Sequence, residues 1–211
     1  MRLVLASGSP RRRELLTALG FDFDVVPSTV DEESFTGGRP VALARRIARA
    51  KAEDVASREP NAIVLAADTI VVLRGDVLNK PRDAEEARAM LTRLRDRSHR
   101  VVTGVCVVQG RRVRMAHVVT PVRMRPYAAH EIEASIARGD PLDKAGAYAI
   151  QDDRFAPVAS YEGCYCNVVG LPLWTSLRLL RDAGVTRTRV AIMPAACDAC
   201  LMKPKDLYSP N

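Results

Sequence analysis

Apolar and polar residues change period several times along the chain, and each change predicts a new secondary-structure element. Residues 2–6, RLVLA, form a short apolar run that predicts a strand. The small polar residues that follow predict a helix with Ser9 as N-cap, Pro10 in its first position and Gly20 just after its end. The buried stripe of this helix is predicted to contain Leu15, Leu16 and Leu19.

The later segments continue this alternation of strands and helices. Further strands are predicted at 21–26, 62–73, 77–78, 99–109 and 111–122, and further helices at 41–57, after Asp83, at 127–138 and at 174–183. The polar stretch 28–40 predicts a loop. We therefore expect an α/β chain with a mixed sheet, formed as one domain over residues 1–190. The segment 191–211 has no periodicity, and we expect a disordered C-terminal appendage there.

Composition and charge limit the partners of this domain. Hydrophobic residues make up 47% and charged residues 27%, an ordinary globular balance. No apolar run approaches the ~18 residues of a membrane span, and the first residues lack a signal-peptide pattern, so we expect a cytoplasmic protein without a membrane partner. The net charge of +7 suits a polyanion. Because arginines are spread along the chain and aromatics are only 5%, a small polyanion is favoured over a stable nucleic-acid complex.

Lysine is scarce, and its few positions are candidate phosphate contacts. Outside the C-terminal segment it occurs only at Lys51, Lys80 and Lys144. Lysine contacts phosphate as a compact point charge, whereas arginine offers a planar fork. The alternative is that these are leftover surface lysines, with Lys51 extending along its helix towards solvent.

The junction between the first strand and the first helix is a candidate anion site. Free backbone N–H groups and the positive end of the helix dipole attract anions there. Arg11, Arg12 and Arg13 follow in the first turn, but successive helical residues point about 100° apart, so only two of them can face one ligand. The residues lack the Walker pattern. A capped helix with a solvated basic turn is an equally good interpretation of this segment alone.

Asp68 is the second candidate, because it places one charge inside the apolar run 62–73. A buried carboxylate is costly unless it is paired or binds a metal. As a metal ligand or a general base it needs a second carboxylate, which the acidic cluster 31–33 can supply. The alternatives are a structural aspartate that caps a loop, and a solvated acidic loop over 31–33.

Two later segments, 143–151 and 167–173, combine glycines with polar residues. Gly146 and Gly170 permit close backbone approach. Gln151 offers both a donor and an acceptor, which suits the amide-like edge of uracil or thymine. By composition alone these segments would be loop and core.

The cysteines give a weaker signal. Cys106 lies in an apolar run and resembles a small core residue. Cys164 and Cys166 are too close along the chain for an easy mutual disulfide. Cys197 and Cys200 form one CxxC, and a single CxxC without a second pair is weak evidence for zinc or redox chemistry.

Together these segments resemble the Maf family of nucleotide pyrophosphatases. The matching blocks are LASGSPRRRELL at 5–16, Asp-Glu at 31–32, ARAKA at 48–52, AADTIV at 66–71, LNKPRD at 78–83, TGV at 103–105, DKAGAYAIQ at 143–151 and NVVGLPL at 167–173. The resemblance implies a Maf/ITPase-like fold with a long, bent mixed β-sheet, flanking helices and two lobes around a central cleft. It also implies hydrolysis of a nucleoside triphosphate to the monophosphate and diphosphate.

The resemblance also assigns roles to residues. The proton-accepting aspartate falls on Asp68 and its acidic partner on Glu32, which together would hold a divalent cation, Mg²⁺ or Mn²⁺. Substrate-binding positions fall on Ser7, Arg11, Arg12, Lys51 and Lys80. Specificity positions of the dTTP/UTP branch fall on Arg11, Thr69 and Gln151. A homodimer is left open.

Two departures from the family pattern lie near the expected base pocket. Ala149 and Asp152 stand where the family usually has glycine, and residues 162–166 read EGCYC in place of a loop of small residues. They put the preferred base in question more than the reaction. The alternative within the enzyme class is therefore a 7-methyl-GTP pyrophosphatase. The alternative from another class, supported by the net charge of +7, is a nucleotide- or nucleic-acid-binding regulator of cell division that needs no catalysis.

Overall fold

The apolar runs of the sequence form the strands of one seven-stranded mixed sheet. This computed structural model describes residues 1–189, 191–198, 200 and 203. The strands are β1 (Arg2–Leu5), β2 (Asp24–Val25), β3 (Ala62–Leu73), β4 (Asp76–Leu78), β5 (Ser98–Gln109), β6 (Arg112–Met124) and β7 (Val158–Tyr161). The sheet order is β2-β1-β3-β5-β6-β7, and β4 pairs with β3. Strands β2, β1 and β3 are parallel, and the other pairs are antiparallel.

Helices cover both faces of this sheet. They are α1 (Pro10–Ala18), α2 (Pro40–Arg58), α3 (Ala84–Leu94), α4 (Ala129–Ala137), α5 (Tyr165–Val169) and α6 (Leu173–Asp182). Short 3-10 turns occur at Glu32–Ser34, Ala145–Ala147 and Ala195–Cys197. The α/β class and the mixed sheet predicted from the sequence are confirmed. No helix within the described ranges is long and apolar enough to cross a membrane.

Most predicted elements occur where the pattern placed them. β3 has the bounds 62–73 that its apolar run predicts, and Ser9 caps α1 through its side chain. The strand predicted over 21–26 is reduced to Asp24–Val25, because only these residues pair with β1. Elements β7 and α5 were not predicted, since they have four and five residues and are too short for a period to show.

The alternation of side chains along β3 gives its two faces different partners. Val64 and Ala66 pack with residues of α2, whereas Ile63, Leu65 and Ala67 pack with residues of α1 and α6. By the same alternation, Asp68 points towards α2 and Thr69 towards α1. Neighbouring residues of one strand therefore belong to opposite sides of the sheet.

One edge of β3 is left open in its middle. β1 pairs with β3 only as far as Leu65, and β4 pairs with it only from Val71 onwards. Between these two points no strand of the described chain pairs with that edge of β3. Asp68 and Thr69 lie in this gap, which places their polar side chains at an opening in the sheet.

The described part of the C-terminal segment packs against the domain. The backbone N–H of Ile192 donates to the carbonyl of Ala18 at 2.9 Å, and Cys197 and Cys200 are buried in the core around α6. This packing differs from the appendage expected over 191–211. Residues 190, 199, 201–202 and 204–211 lie outside the described ranges, so the predicted disorder there and the domain boundary at 190 stay predictions.

Candidate active site

The gap in the edge of β3 opens into a cleft of about 320 Å³. Its wall is formed by the β1–α1 junction, the turn that begins at Glu32, α2, the middle of β3 and the segments 143–151 and 168–170. All the site residues expected from the sequence line it, namely Ser7, Arg11, Arg12, Glu32, Lys51, Asp68, Thr69, Lys80 and Gln151. The volume lies in the range of small-molecule sites, roughly 300–1,000 Å³.

Two carboxylates and one ammonium group form the deepest charged cluster of the cleft. Lys51 Nζ lies 2.7 Å from Asp68 Oδ1 and 2.6 Å from Glu32 Oε1. Lys51 and Asp68 are only 5% and 3% exposed, so removal of Lys51 would leave the buried Asp68 without its ion-pair partner, whereas removal of the Asp68 charge would leave Lys51 paired with Glu32. Lys51 is not the solvent-directed surface lysine of the alternative interpretation. Its helix α2 and strand β3 bring it onto the carboxylates.

Glu32 enters this cluster from the loop before α2. It begins the 3-10 turn Glu32–Ser34, which Asp31 caps through its side chain. Lys80 Nζ lies 3.4 Å from its second oxygen, at the exposed rim of the cleft. Burial raises the pKa of Glu32, but the charges of Lys51, Lys80 and Arg12 outweigh burial and hold the pKa below its usual value. Glu32 is therefore ionised at neutral pH.

The side chain of Arg12 crosses the cleft and contacts three of the segments that line it. Its Nε donates to the carbonyl of Gly170 at 2.9 Å, Nη1 to Ser7 Oγ at 3.3 Å, and Nη2 to Thr69 Oγ1 at 3.1 Å. A guanidinium has five N–H donors, so two remain for a ligand. Burial lowers the pKa of Arg12, and the charges of Asp68 and Glu32 act in the opposite direction.

The three consecutive arginines of α1 divide as helix geometry requires. Arg11 and Arg12 line the cleft, while Arg13 is exposed to solvent. Arg11 Nη1 lies 3.5 Å from Asp143 Oδ2 across the mouth of the cleft. Two of the three arginines therefore face the cleft, as the angle of about 100° between successive helical residues allows.

The segment that carries Gln151 is fixed against β3 by Gly146. Its N–H donates to the carbonyl of Asn79 at 3.1 Å, and a Cβ at this position would lie 2.9 Å from Val71 Cγ2. Its φ of +70° also favours glycine. Gln151 is consequently presented, exposed, at the mouth of the cleft.

Residues 162–166 were expected near the base pocket but do not line the cleft, and the two residues that replace family glycines have different surroundings. Ala149 lines the cleft beside Gln151. Asp152 is directed elsewhere: its Oδ1 accepts the N–H groups of Arg154 and Phe155 at 3.0 Å, and its Oδ2 pairs with Arg138 at 3.2 Å. The carboxylate of Asp152 therefore stabilises its own turn.

A hydrogen-bonded support behind the cleft was not predicted from the sequence. Thr69 Oγ1 lies 2.9 Å from Thr103 Oγ1, and Thr103 donates to the carbonyl of Asn167 at 3.0 Å. Asn167 Nδ2 in turn donates to the carbonyl of Val101. The matching blocks TGV and NVVGLPL contain Thr103 and Asn167, but only the fold shows that Thr103 contacts Thr69 and that Asn167 contacts Thr103.

A second group behind the cleft is a buried histidine. His99 Nε2 lies 2.7 Å from the hydroxyl of Tyr148, which lines the cleft. Burial lowers the pKa of His99 to about 4, so it is neutral at physiological pH. No periodic or motif signal singled it out.

The carboxylates of the cleft suit a divalent cation that is bound partly by the protein and partly by a substrate. Glu32 and Asp68 are two carboxylates that meet at one cationic group. No group of three or more described His, Cys, Asp or Glu side chains is arranged to hold a metal by itself. Mg²⁺ is characteristically bound by one or two carboxylates together with waters and substrate phosphates.

The fold and the cleft define a class of protein, an α/β protein whose open sheet edge faces a cleft in which several cations surround two carboxylates. The chain belongs to the Maf family, since the family model described as "Maf-like protein" matches residues 2–183. A dTTP/UTP pyrophosphatase of Thermomicrobium roseum is 51% identical over 99% of this chain and 97% of its own length. One of an Anaeromyxobacter species is 52% identical over 87% of this chain and 90% of its own.

Comparison of folds adds two solved structures. The Ham1 protein of Staphylococcus aureus has a TM-score of 0.48 and 14% identity, over 88% of this chain and 100% of its own. A HAM1 protein of Coxiella burnetii has a TM-score of 0.45 and 16% identity, over 86% and 99%.

Proposed function

We propose that the protein is a nucleoside triphosphate pyrophosphatase that hydrolyses dTTP and UTP to the monophosphate and diphosphate. The observation that carries the proposal is the buried Asp68–Lys51 ion pair, joined by Glu32, in a cleft lined by further cations. The family membership and the dTTP/UTP activity in the names of relatives at about 50% identity support it. Modified pyrimidine nucleotides are further candidate substrates.

Asp68 is the group proposed to accept the proton of the attacking water. Its hydrogen bond to Lys51 uses Oδ1, and Oδ2 accepts none from the described residues. The water oxygen attacks the α-phosphorus, the bond from this phosphorus to the α–β bridging oxygen breaks, and the proton passes to Asp68. The products are the nucleoside monophosphate and pyrophosphate.

The cations act by positioning the triphosphate and by offsetting the charge that develops on it. The cleft is lined by Arg11, Arg12, Lys51 and Lys80. The hydroxyl of Ser7 accepts a hydrogen bond from Arg12. Arg12 is held at three points, so its two free donors are already oriented before substrate arrives. Pre-orientation avoids the entropy cost of ordering a long side chain.

We further propose that a divalent cation, Mg²⁺ or Mn²⁺, is the cofactor and that Asp68 and Glu32 hold it. When bound, such an ion neutralises phosphate charge and polarises the phosphoryl oxygens. Lys51 already shows that a positive charge is stable between the two carboxylates. Loss of activity in EDTA and its recovery with added Mg²⁺ or Mn²⁺ would support this; full activity in EDTA would contradict it.

Base preference is assigned to the mouth of the cleft. Gln151 can pair with the amide-like edge of uracil or thymine. Arg11 lies at the same mouth of the cleft. Thr69 does not act at the mouth, because the Thr69 hydroxyl is hydrogen-bonded to Arg12 and Thr103. We therefore propose that Thr69 affects specificity through the position of Arg12.

The decisive experiment assays pyrophosphate release from a panel of nucleoside triphosphates. Release from dTTP and UTP with higher kcat/KM than from 7-methyl-GTP supports the proposal. The reverse order would identify the 7-methyl-GTP enzyme. Absence of release from every nucleotide, with retained binding, would favour the regulator of cell division, whose affinity for nucleic acid should fall steeply with salt.

Partners and location follow from the proposed substrate. A free nucleotide pool is cytoplasmic, so we place the enzyme there and expect no stable nucleic-acid complex. Fractionation of cells and a nucleic-acid binding assay at physiological salt test these two points. A homodimer stays open and is decided by light scattering of the purified protein.

A further inference from the structure

Four of the five cysteines come together in the core around α5 and α6, and none of the four lines the cleft. Cys164 and Cys166 lie at the start of α5, and Cys197 and Cys200 lie in the C-terminal segment. All four are buried, at no more than 5% exposure, and belong to one core cluster. The fold therefore supplies the second cysteine pair that the isolated CxxC lacked in the sequence.

The thiols are in direct contact. Cys166 Sγ lies 3.1 Å from Cys197 Sγ, across 31 residues of sequence. The backbone N–H of Asn167 donates to Cys164 Sγ at 3.3 Å, a contact that favours a thiolate.

We propose that Cys164, Cys166, Cys197 and Cys200 bind one structural Zn²⁺ ion as a tetrathiolate site. Four thiolates from two short pairs are a common set of ligands for structural zinc. Binding releases four protons, one from each thiol, and involves no oxidation or reduction. The site goes beyond the proposed function, because no sulfur of this cluster lines the cleft.

The distance between Cys166 and Cys197 favours zinc over a disulfide. Two ligands of a tetrahedral zinc with Zn–S bonds of ~2.3 Å lie about 3.8 Å apart, so these sulfurs must separate by about 0.7 Å. A disulfide of ~2.05 Å requires them to approach by about 1.1 Å, together with a fixed dihedral angle. As the described side chains stand, no group of three or more of them is arranged to hold a metal ion, so the thiols must rotate when zinc binds.

The consequence of the site is mechanical. Zinc would link the segment around Cys197 to α5. This link would add to the existing hydrogen bond from Trp174 Nε1 to the carbonyl of Cys197 at 3.3 Å. Helix α5 ends at Val169, and the carbonyl of the next residue, Gly170, accepts a hydrogen bond from Arg12 in the cleft. The ion would thus stabilise the backbone on which the arginine fork is held.

The first test measures metal and thiols in the purified full-length protein. We expect one zinc per chain by plasma mass spectrometry, retained in the Asp68→Asn variant, and five reactive thiols after denaturation with chelator under argon. Absence of zinc after supplementation with ZnCl₂ would overturn the proposal. If zinc is absent and fewer than five thiols react, the cysteines form disulfides instead. If zinc is absent and all five thiols react, they are inert core cysteines.

The second test locates the ion. Cobalt exchanged for zinc should give the intense visible absorption of a tetrahedral thiolate complex, and Cys197→Ser and Cys200→Ser should each weaken it and reduce zinc retention. The control is Cys106→Ala, a buried cysteine of β5 outside the cluster, which should leave metal content unchanged. Chelation should lower Tm by at least about 5 °C in the parent protein. It should not lower Tm in the double variant that combines Cys197→Ser with Cys200→Ser. An unchanged cobalt spectrum in both serine variants contradicts the assignment.

Discussion

Asp68 faces Lys51 in the interior, and its carboxylate reaches the cleft only because β3 has no neighbouring strand at that point. We expect Asp68→Asn to reduce kcat for UTP at least ~100-fold, since one acid–base group contributes about that much or more. The amide keeps the shape but is a poor proton acceptor.

The matched control for this variant is Asp76→Asn, an exposed aspartate of β4 that pairs with Arg93. It should retain parental kcat. Steady-state pyrophosphate release in saturating magnesium measures both. Full activity of Asp68→Asn under these conditions would remove Asp68 from the proposed mechanism.

Gln151 illustrates a residue that affects binding more than chemistry. Because it is exposed at the mouth of the cleft, Gln151→Ala should fold normally. Loss of a hydrogen bond to the base, about 1–1.5 kcal/mol, should raise KM for UTP about 10-fold with little change in kcat. Equal effects on UTP and on an abasic ribose triphosphate would show that Gln151 does not contact the base.

At the scale of elements, the contact between α2 and β5 depends on one missing side chain. A Cβ at Gly104 would lie 2.5 Å from the carbonyl oxygen of Ala44, a backbone atom that cannot rotate away. We expect Gly104→Ala to destabilise the protein by about 1–3 kcal/mol or more, measured by urea unfolding. Gly8→Ala is the control for folding, because its Cβ would meet nothing closer than 3.9 Å.

The loop that carries Glu32 is attached to α2 by Asp54. Burial raises the pKa of Asp54, but hydrogen bonds from Thr29 N, Ser28 Oγ and Arg58 outweigh it and lower the pKa from 3.8 to about 2. A lowered folded-state pKa contributes stability above the ordinary pKa, and this contribution is lost as pH falls from about 4 to about 2.

We therefore expect Asp54→Asn to lower the free energy of unfolding at pH 7 by on the order of 1 kcal/mol after solvent screening. The difference from the parent protein should shrink between pH 4 and pH 2. Urea unfolding at pH 7, 4 and 3 measures it. The control Glu53→Gln, on the exposed side of the same helix, should change stability by less than about 0.5 kcal/mol. A difference that stays constant with pH would contradict the role of the charge.

At the scale of the molecule, the cleft is assembled from segments far apart in sequence, from Ser7 to Gly170. A ligand that contacts all of them should stabilise the whole domain. We expect UTP with a methylene group at the α–β bridge, at about 100 times its Kd, to raise Tm by roughly 5–10 °C. Calorimetry with and without the analogue measures this, and uridine is the control. Equal shifts with both ligands would show that the cations do not bind the triphosphate.

Local patterns determined much of this molecule. The run 62–73 is a strand because it is apolar and bounded by turn residues, and Ser9 and Pro10 begin α1 because their chemistry suits a helix start. The expected site residues could be selected for the same reason: a charge inside an apolar strand and cations near small residues are unusual in any sequence. The structure places all the expected site residues in one cleft, which agrees with their selection from the sequence.

Contacts between distant residues were decided only by the tertiary structure. The gap in the edge of β3 depends on where β1 stops and β4 begins, and no local pattern encodes this register. The same holds for Thr103 and Asn167 behind Thr69, and for the approach of Cys166 to Cys197. Sequence determines periodicity and residue chemistry over a few turns, whereas contacts across 30 to 160 residues depend on how the whole sheet and its helices pack.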